Sequence, residues 1–243
     1  MQKINLVIII TGESKLGKTH LACSMPNSIC IDLTPNRDSL AAAMTVYDEE
    51  FEKRYNWATN WTVEDLEDLV KETEATTIVI DTSTELRDVY AGEVLEELNV
   101  VRVKNKQPKL KTIYPITEWK IVYDNIERMF RNNNDKNFII TANRKDHYVY
   151  DKEMKMSVKT GKRVMAGAKN LVWISDVVMR MIIDERKVGS PAKVVRERKT
   201  EVVLNRFLDK ANSEQWVEYA TGIEDLMDKI CEKSKVFRRE MFI

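Results

Sequence analysis

The chain has 243 residues, of which 43% are hydrophobic and 32% are charged, and this favours one large α/β domain over two full domains. No apolar run approaches the roughly 20 residues needed to span a bilayer, and no signal peptide is recognisable. We therefore expect a cytoplasmic protein without a membrane partner, in the host cytoplasm if the source is viral. The three cysteines lack metal-ligand spacing, which argues against a zinc site or a catalytic cysteine.

The formal net charge is zero, but the charges are unevenly distributed along the chain. Acidic side chains dominate residues 40–100, whereas lysine and arginine dominate residues 101–171. A basic segment of this length is able to bind a polyanion even though the chain as a whole is neutral.

The first predicted elements are a buried strand over Leu6–Ile10 and a loop, GESKLGKT, that begins at Gly12. The loop matches G-x-x-x-x-G-K-[ST], and a predicted helix from Lys18 to Met25 completes the context in which backbone N–H groups cradle a phosphate. In such a loop Lys18 reaches the β- and γ-phosphates of ATP, and the Thr19 hydroxyl ligates Mg²⁺. The predicted nucleotide-binding residues are Gly12, Glu13, Ser14, Lys15, Leu16, Gly17, Lys18, Thr19 and His20. A histidine directly after the motif is more often a packing or surface residue, because it points away from the phosphates.

The following elements alternate between short apolar strands and helices with one apolar face. The strands are predicted at Ser28–Asp32, Thr76–Asp81 and Asn137–Thr141, and the helices around Ala41–Ala43, from an N-cap at Thr62, over Thr84–Asn99 and over Ile116–Arg131. The lysine-rich stretch Val101–Thr112 has no period and is predicted to be a basic loop.

The C-terminal half begins with a polar, basic loop, residues 142–169, whose alternation predicts a flexible hairpin with its turn at Lys159–Lys162. Later elements are predicted as strands at Trp173–Ile183, Ala192–Val195 and Val202–Leu204, and as a C-terminal helix at about 222–240. Strands that alternate with helices predict an α/β fold with a mainly parallel central sheet, flanked by helices, and antiparallel strands at the C-terminal end. Residues 1–243 form one domain in this prediction.

A carboxylate at the end of a neighbouring strand would complete the Mg²⁺ side of the site, and Asp81 closes the run Ile78-Val79-Ile80. The next residue is Thr82, where helicase-like and AAA+ chains usually carry an acid and RecA-like ATPases typically carry a small hydroxyl residue. The chain therefore resembles the RecA-type P-loop ATPases, specifically the small phage-type RecA-like nucleotide-binding proteins, some of which are single-strand annealing recombinases. Their phosphate loops often read G-x-x-K-x-G-K-T, and Lys15 stands at the matching position.

The resemblance extends to later strands. Asn143 falls at the position of the γ-phosphate-sensing amide of RecA, and residues 142–169 occupy the place of the RecA DNA-binding loop. The stretch Lys193–Arg198 resembles the RecA segment whose two cations reach the ATP of the neighbouring subunit, which implies that Arg196 and Arg198 act in trans. The family thus implies a Mg²⁺-dependent ATPase with ATP at the subunit interface of a ring or filament. It also implies binding to single-stranded DNA in recombination, annealing or replication.

One position departs from the RecA pattern. RecA carries a catalytic glutamate after its second strand, whereas Thr34 stands there in this chain and cannot accept a proton from water at neutral pH. Hydrolysis is then expected to be slow, or to use another acid such as Asp32, Asp38 or Glu85. Glu85 is the best of these because it lies one helical turn beyond Asp81, although an acid near a helix start is more often a partner of the helix dipole.

Within the basic loop, cations alternate with aromatic residues in a pattern typical of single-strand binding, in which cations neutralise phosphates and rings stack on bases. The candidate residues are Lys145, Tyr148, Tyr150, Lys155, Lys159, Lys162 and Arg163. A solvated surface hairpin is the alternative, because Asp146, Asp151 and Glu153 dilute the positive charge.

Two other functions are compatible with the sequence. A nucleotide-gated scaffold that scarcely hydrolyses ATP would follow from Thr34 at the glutamate position. A P-loop phosphotransferase acting on a small molecule ranks last, because the sequence shows no arginine-rich lid with a kinase pattern.

Overall fold

The structure, a computed structural model, describes residues 5–113, 116–151, 154–168, 170–188, 193–205, 216–218, 228, 231 and 232. Within these ranges the strands are β1 (Val7–Gly12), β2 (Ser28–Asp32), β3 (Tyr55–Trp57), β4 (Thr77–Asp81), β5 (Asn137–Asp151), β6 (Met156–Met165), β7 (Val177–Val188), β8 (Lys193–Asn205) and β9 (Trp216–Glu218). The helices are α1 (Lys18–Cys23), α2 (Leu40–Tyr47), α3 (Phe51–Arg54), α4 (Val63–Glu72), α5 (Ser83–Lys104), α6 (Ile116–Asn132) and α7 (Leu171–Ile174), with a 3₁₀ turn at Asp48–Glu50.

The strands form a sheet in the order β3-β2-β4-β5-β1-β7-β8-β9, and β6 pairs with β5 outside this row. The sheet is parallel from β3 to β7, whereas β8 and β9 run antiparallel to their neighbours. The predicted α/β class, with a mainly parallel sheet and antiparallel strands at the C-terminal end, is therefore confirmed. β1, β2 and β4 are buried along their whole length, as expected for apolar strands covered on both faces.

Helices cover both faces of the sheet and enclose two apolar cores. One core combines alternate residues of β1 and β4 with side chains of α4, α5 and α6, namely Val7, Ile9, Ile78, Ile80, Leu66, Leu86 and Ile126. The other combines the intervening residues of β1 with side chains of α1 and α2, namely Ile8, Ile10, Leu21, Ala43 and Tyr47. Packing on both faces fixes the end of β1, where the phosphate loop begins.

The predicted N-cap at Thr62 is confirmed. Its hydroxyl accepts a hydrogen bond from the Asp65 backbone N–H at 3.1 Å, and the Asp65 carboxylate accepts from the Thr62 N–H at 3.3 Å. This reciprocal pair satisfies two backbone donors at the start of α4 and explains why that helix begins where the sequence indicates.

The predicted basic loop at Val101–Thr112 is wrong in its first part, because α5 continues to Lys104. The chain then folds back along the helix. The Asn99 side chain accepts from the Leu110 N–H at 2.7 Å and donates to the Leu110 carbonyl at 3.1 Å. The Asn99 side chain in α5 thus holds the segment around Leu110. The lysine-rich sequence, which has no period, did not indicate this contact.

The predicted turn at Lys159–Lys162 is also wrong. These residues lie within β6, and the chain reverses between Asp151 and Met156. The alternation was read correctly as a hairpin, but an exposed hairpin has no buried face that would fix its turn in the sequence.

The other differences lie toward the C-terminus. A predicted strand start at Trp173 is wrong, because Leu171–Ile174 forms the short helix α7 and β7 starts at Val177. The predicted strands Ala192–Val195 and Val202–Leu204 belong to one strand, β8, as far as the described residues extend. The predicted C-terminal helix at about 222–240 lies almost wholly outside the described residues. None of the described helices is long and apolar enough to cross a membrane.

Two hairpins extend beyond the end of β1. β5 pairs with β1 as far as Asn143, opposite Gly12, and from there it continues as a hairpin with β6. β7 pairs with β1 as far as Met181, also opposite Gly12, and it continues to Val188 as a hairpin with β8. The phosphate loop therefore lies between the β5–β6 hairpin and the β7–β8 hairpin.

Gly167, just after β6, packs the base of the β5–β6 hairpin against Ser83 at the start of α5. It has φ +82°, and a Cβ there would lie 2.6 Å from the backbone of Ser83, whereas Gly161 has φ +74° and open space around it. We expect Gly161→Ala to cost about 1–2 kcal/mol, because only the left-handed backbone is strained. Gly167→Ala should cost about 1–3 kcal/mol more, because the methyl group must displace backbone.

Urea unfolding of both variants, followed by circular dichroism, checks this difference. Equal losses of the free energy of unfolding would show that the hairpin does not press against α5 in solution.

Candidate nucleotide-binding site

The phosphate loop joins the end of β1 to the start of α1. A Cβ on Gly12 would lie 3.0 Å from the carbonyl oxygen of Met181, so β1 and β7 approach closely at this point. Gly17 has φ +90° and Lys15 has φ +65°, both in the left-handed region. A backbone that curls in this way turns successive N–H groups toward one point, where they are able to bind an anion.

Lys18 lies almost buried at the centre of the loop, with 7% of its surface exposed. Its Nζ donates to the Glu13 carbonyl oxygen and to Asn143 Oδ1, both at 2.9 Å. Burial lowers the pKa of the ammonium below its ordinary value, although the nearby charges of Asp81 and Glu13 oppose this shift. The amine is thus fixed by two neutral acceptors in a partly dehydrated position, where the negative charge of a phosphate would stabilise its protonated form.

Asp81 ends β4 and is buried. Its carboxylate accepts hydrogen bonds from three hydroxyl groups, those of Thr19 in α1, Ser39 before α2 and Thr141 in β5; the Ser39 bond measures 2.7 Å. The predicted pair of Mg²⁺ ligands, Thr19 and Asp81, is thus brought into direct contact.

The oxygen donors at this point fit Mg²⁺, which prefers oxygen ligands and commonly binds one or two carboxylates together with substrate phosphates. Among the described residues no group of three or more His, Cys, Asp and Glu side chains is placed to hold a metal. The arrangement therefore suits an ion held between the protein and a bound triphosphate.

A cleft of about 530 Å³ opens beside the loop. It is lined by Ser14, Lys15, Gly17, Lys18, Thr19, Thr34, Asp38, Ala41, Ala42, Asp81, Thr82, Glu85 and Asn143. Five of the predicted loop residues thus face the cleft, whereas Leu16 packs into the core beside α1 and His20 is exposed outside the lining. Glu13 turns the other way and forms an ion pair at 2.5 Å with Arg163 of β6.

The three acids considered as bases differ in their surroundings. Asp32 is fully buried and accepts from the Thr34 hydroxyl at 2.6 Å, the Thr34 N–H at 2.9 Å and the Tyr55 hydroxyl at 2.7 Å. Its role is to hold the end of β2, so it is poorly placed to take a proton from water. Asp38 and Glu85 both line the cleft, and Glu85 accepts a hydrogen bond from the Thr82 hydroxyl.

Asn143 lies where the pairing of β5 with β1 ends, opposite Gly12, and its contact with Lys18 places it at the phosphate loop. The two predicted cations on β8 are Arg196 and Arg198. The side chain of Arg196 lies outside the described residues. Nη1 of Arg198 lies 3.1 Å from the position that a Cβ on Gly17 of the same chain would occupy. The register of the β7–β8 hairpin thus brings Arg198 to the phosphate loop of its own chain, and the contact with a neighbouring subunit that the resemblance implied stays a prediction.

The predicted nucleic-acid residues lie together on the β5–β6 hairpin. Tyr148 and Tyr150 are 55% and 61% exposed, and strand alternation puts them on one face. Lys159 forms an ion pair with Asp146 at 2.8 Å, which raises the pKa of Lys159 and lowers that of Asp146. The remaining candidates, Lys145, Lys155 and Lys162, are exposed. Acids on the hairpin thus neutralise part of its positive charge, as the alternative interpretation expected.

Two of the three hydroxyl partners of Asp81 were not predicted as site residues. Thr141 could have been found, because it lies two positions before Asn143 on the same strand and therefore on the same face. Ser39 precedes α2 and resembles an ordinary N-cap, but it makes no side-chain cap and donates to Asp81. Only the folded chain shows that contact.

The arrangement of loop, lysine, hydroxyl and strand-end carboxylate is that of a P-loop nucleotide-binding protein. A family model described as an AAA domain matches residues 4–218, so the chain belongs to this family of P-loop ATPases. Among solved structures, the flagellar accessory protein FlaH from Methanocaldococcus jannaschii matches 90% of this chain and 92% of its own, at 12% sequence identity and a TM-score of 0.43. A likeness of this extent does not bear on function. No curated protein matches the sequence.

The lowered pKa of Lys18 predicts a pH dependence of ATP binding. A bound triphosphate raises that pKa, so between the two values the complex holds more protons than the free protein, and binding takes up a proton. Affinity for ATP should therefore fall as the pH rises through the lowered pKa toward 10.5.

Isothermal titration calorimetry in buffers of different ionisation enthalpy measures both the affinity and the proton uptake. The Lys18→Met variant is the control, and its residual affinity should not vary with pH in this interval. The same slope in both proteins would contradict the assignment to Lys18.

Proposed function

We propose that this P-loop ATPase hydrolyses ATP with Mg²⁺ and uses the nucleotide to control binding of single-stranded DNA in recombination, annealing or replication. The observation that carries the proposal is the β5–β6 hairpin. Its exposed aromatic face begins a few residues after Asn143, whose side chain contacts Lys18 in the phosphate loop.

The hairpin has the parts of a base-stacking platform. Tyr148 and Tyr150 share a face with Lys159, because Lys159 lies directly opposite Tyr148 in the antiparallel pair. Exposed rings beside a cation suit unpaired bases and their phosphates, and they do so without regard to base identity.

Three contacts connect the hairpin to the nucleotide site. Arg163 of β6 pairs with Glu13 of the phosphate loop, the Ser83 hydroxyl at the start of α5 donates to the Ala166 carbonyl at 3.0 Å, and Gly167 packs on Ser83. Ser83 follows Asp81 by two residues. A change at either the phosphate loop or the metal-binding carboxylate would therefore move the base of the hairpin.

In the proposed mechanism Lys18 and the loop N–H groups hold the phosphates, and Thr19 and Asp81 hold Mg²⁺, which neutralises phosphate charge when bound. Glu85 accepts the proton of the attacking water, in place of the glutamate that Thr34 replaces. Asn143 exchanges its bond with Lys18 for one with the terminal phosphate, and this shifts β5 and the hairpin. Assembly into a ring or filament, with ATP at the subunit interface, and a cytoplasmic location remain predictions.

Single-stranded DNA binding, measured by fluorescence anisotropy with ATP, ADP and no nucleotide over a salt series, tests the function. We expect binding that is tightest with ATP and weakens steeply with salt, because phosphate contacts release counterions. Replacing both Tyr148 and Tyr150 with alanine should weaken binding at least tenfold, since each stacked base contributes about 1–3 kcal/mol.

Val149→Ala is the matched control, because Val149 is equally exposed on the opposite face and its loss should change the affinity less than twofold. Glu13→Gln breaks the ion pair with Arg163 and should reduce the difference between ATP and ADP while leaving DNA affinity in place. Absence of binding in every nucleotide state would overturn the DNA role and leave the ATP site standing.

Hydrolysis is tested by Glu85→Gln. The glutamine keeps the size of the side chain but cannot take a proton, so turnover should fall about 100-fold or more while ATP affinity stays within threefold. Phosphate release in single-turnover reactions measures the first quantity, and equilibrium binding the second.

Asp38→Asn is the comparison, because Asp38 is the other acid of the cleft that is not held in a buried network. A loss confined to Asp38→Asn would transfer the role of base to that residue. Wild-type turnover at background would favour a nucleotide-gated scaffold.

A further inference from the structure

Arg198 reaches the phosphate loop because of the length of the β7–β8 hairpin. β7 pairs with β1 up to Met181, opposite Gly12, and Ile183, two residues further on, is the partner of Arg198 on β8. The side chain therefore starts just beyond the end of β1. Its Nη1 and Cζ atoms lie 3.1 and 3.8 Å from the position that a Cβ on Gly17 would occupy.

Two other arginines near this edge, Arg180 and Arg163, have acidic partners, and Arg198 differs from them. Arg180 of β7 donates through Nε to Glu201 at 2.6 Å, and Arg163 of β6 pairs with Glu13. Within the described part of the chain, no carboxylate lies in ion-pair distance of Arg198. A guanidinium that touches a phosphate-binding loop and has no described counter-charge is placed for an anionic ligand.

We propose that Arg198 binds the triphosphate of the nucleotide held by its own chain. The inference rests on the proposed nucleotide binding at the loop and adds a second cation to Lys18. The planar guanidinium offers a fork of N–H donors that matches two phosphate oxygens, whereas the Lys18 ammonium acts as a single charge. Gly17 contributes by lacking a side chain, because any Cβ there would press against the guanidinium.

The consequence is that one protomer contains both cations of its nucleotide site. ATP binding would then not depend on contact with a neighbouring copy. If the arginine acted in trans, each site would be complete only between two copies, and dilution would abolish its contribution.

The first experiment measures the affinity for a fluorescent ATP analogue at protein concentrations at which sedimentation shows a monomer. Arg198→Ala should weaken binding tenfold or more, and Arg198→Lys should recover part of the loss, since charge is kept but the fork is not. Lys199→Ala is the matched control because it removes the same charge one residue away on the other face of β8, and we expect a change below twofold. Equal affinities of Arg198→Ala and wild type would overturn the proposal.

The second experiment mixes Arg198→Ala with Lys18→Ala subunits and measures ATP turnover. A cis arginine gives no recovery at any ratio, whereas a trans arginine restores sites that combine Lys18 of one copy with Arg198 of the other, and such recovery would overturn the proposal. Nucleotide binding by Lys18→Ala alone distinguishes failure of the proposed nucleotide site from failure of the Arg198 proposal. If Lys18→Ala binds nucleotide like wild type, the nucleotide site is wrongly assigned. If Lys18→Ala loses affinity but Arg198→Ala does not, only the contact of Arg198 with its own nucleotide is wrong.

Discussion

A buried carboxylate must be hydrogen-bonded or neutralised, and Asp81 is the carboxylate on which this site depends. Its partners are the hydroxyls of Thr19, Ser39 and Thr141, so α1, the start of α2 and β5 all meet at the end of β4. Lys18 lies close enough for its charge to interact with that of Asp81. One requirement of electrostatics therefore sets the positions of four elements, and it brings the phosphate loop together with Asp81, the predicted Mg²⁺ ligand, although β5 separates their strands.

The insertion of β5 between β1 and β4 has a second effect, because both neighbours of β1 continue beyond the phosphate loop as hairpins. Each hairpin brings an arginine to the loop, Arg163 to Glu13 and Arg198 to Gly17. The phosphate loop thus lies between two hairpins with different proposed roles. In our proposals, one responds to the nucleotide and presents its exposed face to DNA, and the other contributes a cation to the nucleotide itself.

The sequence predicted the parts of the site that lie at ends of buried strands. Gly12, Asp81 and Asn143 each follow an apolar run, and parallel strands bring their carboxyl ends to one edge. Ser39 was not predictable because its role depends on a contact 42 residues away, which no local pattern encodes. The turn of the β5–β6 hairpin was misplaced because both of its faces are polar or exposed, so alternation does not fix the register. The position of Arg198 depends on how far β7 extends, and the residue pattern of β7 does not define where that strand ends.

The pairing of β1 also determines the order in which the protein can be assembled during synthesis. The phosphate loop is synthesised before β5 and β7, the strands on either side of β1, and the contacts that join those strands to the start of β1 span 131 and 169 residues. β2 and β4 are able to pair as soon as both are synthesised. β1 and the second edge of β4 stay unpaired until β5 has been synthesised and inserts between them. Until then the unpaired edges of β1 and β4 are able to pair with other chains, which is the usual cause of aggregation through strand edges. The strand that carries the phosphate loop thus acquires its neighbours in the sheet only after β5 and β7 have been synthesised.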